Sequence, residues 1–171
     1  MNIEKSNRVV ARFREQEWEP VRVSNVWKGN FPATPDEVFP LLCPAREADW
    51  LPGWDAELIF SESGYAERGC VFRTDLSGSV GDGVWLFVTH DPPEKVEIVR
   101  FTNDILFQIR ASLEQVGEAD TALTWEYVLT GLTESGADRL DGQEAALEAK
   151  AAKLGAALSH YLQTGEMVGA D

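Results

Sequence analysis

Cysteine and histidine are scarce in this chain. Two of each stand in 171 residues, and Cys43, Cys70, His90 and His160 are far apart. That excludes a disulfide-rich scaffold and matches no zinc-ligand spacing; buried thiols in a reducing, cytosolic setting are the expectation. Positive charge is also short. Lys and Arg total 15 against 29 Asp and Glu, a formal net charge of −14. Nucleic acid needs clustered cations to neutralise phosphates, so it is not an expected partner. Anionic membrane surfaces are disfavoured for the same reason. No apolar run reaches the ~18 residues of a membrane span, so no membrane insertion is expected. The start, Met1 to Ser6, has no apolar stretch behind its charges, which argues against a secretory signal.

What the chain does have is ordinary globular material: 44% hydrophobic and 26% charged residues, in a length that suits one domain. Residues 1–20 have no clear period and read as an arm or an extra edge strand. Val21–Lys28 reads as the first strand. Thr34-Pro35-Asp36-Glu37 carries a capping-box spacing with proline at the first helical position. That helix must be short, because Pro40 cannot donate inside it. A second short helix is expected from Pro44 to about Trp50, stopped by Pro52-Gly53. Six more strands follow: Glu57–Glu62, Cys70–Leu76, Val84–His90, Lys95–Thr102, Ile105–Leu113 and Thr121–Thr130. The breaks between them are turn-forming and short, so neighbours should be antiparallel. Leu147, Ala151, Leu154, Leu158 and Tyr161 then repeat at steps of three and four. They predict one long amphipathic helix, from about 138–143 to 163, ended near Gly165. Residues 166–171 form a tail.

The alternation within strands assigns faces. Ile105, Phe107, Ile109, Ala111 and Leu113 share one face; Leu123, Trp125, Tyr127 and Leu129 share another. Arg73, Arg110 and Glu126 fall on the outer faces, as solvated cross-strand pairs. A one-residue slip would turn Arg110 and Glu126 inward and make them a polar site. The expected fold class is α+β: seven antiparallel strands covered on one face by the long helix.

Thr34-Pro35-Asp36-Glu37-Val38-Phe39, Trp85 with His90-Asp91-Pro92, Tyr127 to Thr133, and Tyr161 to Gly165 resemble the START-like, Bet v 1-type superfamily. The nearest match is its polyketide cyclase/dehydrase and lipid-transport group. The resemblance covers residues 21–165. It implies a helix-grip fold, in which a curved seven-stranded antiparallel sheet wraps around the long C-terminal helix, with two short helices after the first strand and a cavity between sheet and helix. It also implies a range of roles, from hydrophobic-ligand carriers to aromatase/cyclases, so the fold does not fix function.

The residues expected to line that cavity are Trp27, Trp54, Phe72, Trp85, Phe87, Phe107, Ile109, Trp125, Tyr127, Leu154, Leu158 and Tyr161. Tyr127, Asn25 and Thr74 are the candidates for uncharged polar contacts. The competing reading is that the rings simply fill the interior. His90 beside Asp91 could be a base with its orienting carboxylate, but neighbours on a strand face opposite ways. A surface histidine is expected there and at His160. Ser77-Gly78-Ser79 lacks the strand–turn–helix context of a nucleophile elbow. Gly78, Gly81 and Gly83 mark a hairpin turn, not a phosphate cradle. No cofactor is implied.

These observations favour a protein that holds a small hydrophobic or aromatic molecule without turning it over. A cofactor-free cyclase, dehydratase or hydrolase, with Tyr127 as donor, is the alternative. A regulatory module binding a basic partner is a third, although solubility accounts for the negative charge. The first strand or the arm could pair between chains into a homodimer.

Overall fold

The computed structural model describes residues 18–74 and 83–169. Most of the N-terminal arm, the Ser77–Ser79 loop and the glycine turn up to Asp82 lie outside them. Seven strands form one antiparallel sheet: β1 (Arg22–Phe31), β2 (Ala56–Phe60), β3 (Val71–Thr74), β4 (Gly83–Asp91), β5 (Lys95–Phe101), β6 (Ile105–Gly117) and β7 (Asp120–Gly131). Their order is β1-β7-β6-β5-β4-β3-β2. The first strand therefore closes on the last, with Trp27 opposite Trp125 and Asn25 opposite Tyr127.

Between β1 and β2 lie α1 (Pro35–Val38), a 3-10 turn (Phe39–Leu42) and α2 (Pro44–Glu47). The Glu37 carboxylate accepts from the Thr34 backbone N–H at 2.8 Å and from the Thr34 hydroxyl at 2.9 Å. These bonds hold its pKa below the usual carboxylate value. Pro40 ends α1 by tightening the chain into the 3-10 turn.

The expected long helix is present, and a short helix that was not expected precedes it. After β7, α3 (Glu134–Leu140) is followed by α4 (Glu144–Thr164). Thr133 caps α3, accepting from the Gly136 N–H at 3.1 Å and donating to Asp104 at 2.8 Å. Asp141-Gly142 breaks the run, with Gly142 at φ 68°, a conformation other residues resist. Gly165 ends α4 at φ 73°, its N–H donating to the Tyr161 carbonyl at 2.7 Å.

The alternation holds. Phe72, Trp85, Phe87, Ile98, Ala111, Leu113, Leu123, Trp125 and Tyr127 are all buried on the inner face. Arg110 sits outside, its guanidinium 3.0 Å from both Glu97 and Glu126. Arg73 pairs with Glu57 at 3.0 Å, also outside. The register is not slipped. On the inner face, α4 packs through Ala151, Gly155, Ala157 and Leu158. A Cβ added at Gly155 would overlap the Trp27 ring, so glycine lets helix and strand approach.

Candidate functional site

Beneath the front half of α4 the interior is open. A cavity of about 460 Å³ lies there. Its floor is the sheet. Across the strands runs one row of paired residues: Val23, Leu129, Phe107, Arg100, Trp85, Phe72 and Leu58. A second row contains Asn25, Tyr127, Ile109, Ile98 and Phe87. Residues 47–54 make one side wall, and residues from Arg139 to Leu154 another.

The rings are fixed in place. Phe72 stacks on Trp85, centroids 5.6 Å apart and planes 4° from parallel; Phe107 stacks on Tyr127 at 5.9 Å and 18°. Trp50 donates its indole N–H to the Leu41 carbonyl at 2.9 Å. Trp54 donates to the Pro44 carbonyl at 2.7 Å, and Trp85 to the Thr74 hydroxyl at 2.8 Å. Buried indole N–H groups need partners, and these have them inside the protein. Thr74 is thereby a brace for Trp85. Asn25 is on the inner face but does not border the cavity.

Of the twelve residues expected to line the cavity, Trp54, Phe72, Trp85, Phe107, Ile109, Trp125, Tyr127 and Leu154 do so. The other four are elsewhere. Trp27 is taken up by Phe31, Trp125 and Gly155. Leu158 is wholly buried under α4. Tyr161 packs on the core near Arg46. Phe87 faces a second hollow of about 300 Å³, shared with Phe39, Cys43 and His90.

His90 corrects an expectation. The strand carries a bulge between Phe87 and Thr89, which adds one residue and shifts the alternation. His90 consequently turns inward, half-buried, edge-on to Phe39 at 5.3 Å and to Phe87 at 5.6 Å. Burial lowers its pKa. His160 is exposed, as expected. Cys43 and Cys70 are both free thiols, and burial raises the pKa of each. Among the described residues no three His, Cys, Asp or Glu side chains gather to hold a metal.

Four charged or titratable wall groups escaped the sequence reading. Glu47 borders the cavity, and desolvation pushes its carboxyl up to about 8. Lys150 lies exposed at the rim; desolvation, then the Arg100 charge, lowers its pKa. Arg139 also borders the cavity, its guanidinium 3.5 Å from Asp104. Arg100, only 1% exposed, lies behind the wall with its guanidinium 5.4 Å from the Trp85 ring centre, within cation–π range. Three of them had a positional signal. Arg100 continues the inward series Val96, Ile98. Lys150 falls between Leu147 and Leu154 on the apolar stripe of α4, and Glu47 falls between Pro44 and Trp50 or Leu51.

Tyr127 is 4% exposed. Burial, then the nearby Glu47 carboxyl, raises its pKa, so the phenol stays protonated. What the arrangement can do is enclose a flat apolar body and present a phenol and a carboxyl to it.

An antiparallel sheet gripping one long helix, with short helices at one end and a cavity between, defines an α+β fold of the helix-grip kind. Solved structures place it further. Norcoclaurine synthase from Thalictrum flavum superposes with a TM-score of 0.63 at 12% identity, over 93% of this chain and 99% of that one. Ara h 8.0201 gives 0.63 at 12%, over 84% and 99%. A protein of the dynemicin biosynthetic locus gives 0.61 at 22%, over 84% of this chain but 48% of its own. The chain has the helix-grip fold of START-like, Bet v 1-type proteins. No protein-family model matches the sequence, and no curated protein matches it. No helix among the described residues is long and apolar enough to cross a membrane.

Proposed function

We propose that this protein binds a small, largely apolar, aromatic ligand between the sheet and α4. The observation that carries the reading is the open cavity itself. Trp50, Trp54, Phe72, Trp85, Phe107, Trp125 and Tyr127 all border about 460 Å³ that they do not fill. Interiors that serve only stability close such space, because an unfilled apolar void forfeits dispersion contacts. A site of this size, mostly apolar with a few polar groups, suits a small organic molecule. Two free thiols fit a reducing compartment.

Native mass spectrometry of freshly purified protein, beside a denaturing run of the same sample, tests this. The expected result is an excess mass that denaturation removes. No excess mass, together with a panel of aromatic hydrophobes that leaves tryptophan emission and the thermal midpoint unchanged, would overturn it.

A second reading is a cofactor-free enzyme. It is supported by Glu47 and Tyr127, two groups with displaced titration that border one cavity, a pattern common at catalytic sites. Norcoclaurine synthase, of the same fold, has been solved with a transition-state analogue bound. An activity left untouched by Tyr127→Phe would remove Tyr127 from that role.

A further inference from the structure

We propose that Glu47 and Tyr127 together form a subsite for one oxygen acceptor, the carbonyl or phenolate oxygen of an aromatic ligand. The inference rests on the ligand-binding reading and states which part of the ligand the polar wall holds.

Three observations lead to it. The indole donors of Trp50, Trp54 and Trp85 are spent on protein acceptors, so they do not compete for the ligand. The Tyr127 hydroxyl has no hydrogen-bond partner among the described residues, although its ring is held by the Phe107 stack and by Trp125 at 6.3 Å. The Glu47 carboxyl, bordering the same cavity, likewise has no hydrogen-bond or ion-pair partner among them. It is near enough for its charge to be felt at Tyr127.

A carboxyl in an apolar site stays protonated at neutral pH and donates rather than accepts; here its titration is displaced to about 8. Two O–H donors, one from the floor and one from the side wall, therefore border the same space. An oxygen acceptor has two lone pairs and can take both. Fixed donors in a water-poor cavity hold such an oxygen more strongly than water does, and more so as it gains negative charge. The other titratable or charged groups around the space are Arg139 from α3 and Lys150 from α4, with Arg100 of β5 behind Trp85. All are cationic and favour the same electron-rich oxygen. A basic amine would meet these cations and two donors, and is not the class of ligand expected.

The test uses two probes of one skeleton, 2-acetylnaphthalene and 2-ethylnaphthalene, which differ by the carbonyl oxygen. Tyr127→Phe should weaken the ketone about tenfold, the loss of one net hydrogen bond, and leave the hydrocarbon within about twofold. The carbonyl stretch of the bound ketone should lie at lower frequency in the wild type than in that variant. Ketone affinity should fall as pH rises through about 8, where Glu47 becomes a carboxylate. Glu47→Gln keeps an N–H donor and should abolish that fall, which separates Glu47 from the titration of Lys150. If Tyr127→Phe changes both probes equally, or neither, the oxygen subsite is wrong while ligand binding stands. If neither probe binds, the binding reading fails and the subsite with it.

Discussion

Between Ala151 and Leu158 the helix α4 lies down on the sheet, whereas from Glu144 to Lys150 only Leu147 is even half-buried. The back half carries Ala151, Gly155, Ala157 and Leu158 against the core, with the Trp27 ring pressed to Gly155. The front half has Ala146, Leu147 and Lys150 at the cavity, which Ala151 and Leu154 border at the join of the two halves. One element thus anchors the fold at one end and walls an open space at the other. Gly155, against the Trp27 ring, marks the close end. Glycine and alanine at the contact bring the back half close, while at the front the aromatic floor stays uncovered. The core contact at Gly155, Ala157 and Leu158 and the cavity border at Ala146, Leu147 and Lys150 are therefore on different turns of one helix, and substitutions can separate them.

The largest effect should come from the anchored half. Leu158→Ala leaves a cavity under α4 and should cost ~2–5 kcal/mol in chemical denaturation. Gly155→Ala should cost ~1–3 kcal/mol through overpacking against Trp27, despite alanine's ~1 kcal/mol helix advantage. Pairing it with Trp27→Leu should recover much of that loss, because the two share one contact.

A smaller response belongs to the open half's surroundings and depends on pH. The Glu47 pKa is raised on folding, from an ordinary carboxyl value to about 8. The folded state therefore binds the proton more tightly. Its contribution to stability is fully present below the ordinary value and is lost as pH rises to about 8. The thermal midpoint of the wild type should fall across that window relative to Glu47→Gln. Equal slopes for the two would show that the carboxyl is well solvated.

Least should happen at Lys150. Lys150→Ala should shift stability by no more than ~0.5 kcal/mol, as an exposed side chain does. It should still weaken an anionic aromatic ligand more than its neutral analogue. If Lys150→Ala and Leu158→Ala destabilise alike, the contrast between the two halves is broken.

Much of this was legible because it is local. Period-two alternation put Phe107, Ile109, Trp125 and Tyr127 on one face and Arg110 and Glu126 on the other, and the structure has them there. The capping spacing at Thr34 and the stop at Gly165 are local too. Closure of β1 on β7 joins residues about a hundred apart, and no turn chemistry announces it. The break at Asp141-Gly142 was hidden because α3 and α4 continue nearly the same apolar period. The polar wall was missed for a different reason. Glu47, Arg100 and Lys150 are charged residues at apolar positions, and a reading by residue type passes over what a reading by position would stop at. His90 could not be placed by alternation, since the bulge between Phe87 and Thr89 leaves no mark in composition.

That bulge has an arithmetical consequence. A strand assigns its residues to two sides by odd and even count, and one supernumerary residue inverts the parity of everything after it. Were Val88 paired in strict alternation instead, His90 would share the solvent side with Leu86 and Val84, and Phe39 would lose its edge-on neighbour. Removing Val88 should restore strict parity while keeping Thr89, His90 and Asp91 on their present sides, opposite Glu97, Val96 and Lys95. That one count puts His90 on the concave side, against Phe39 and Phe87, where it borders the smaller hollow.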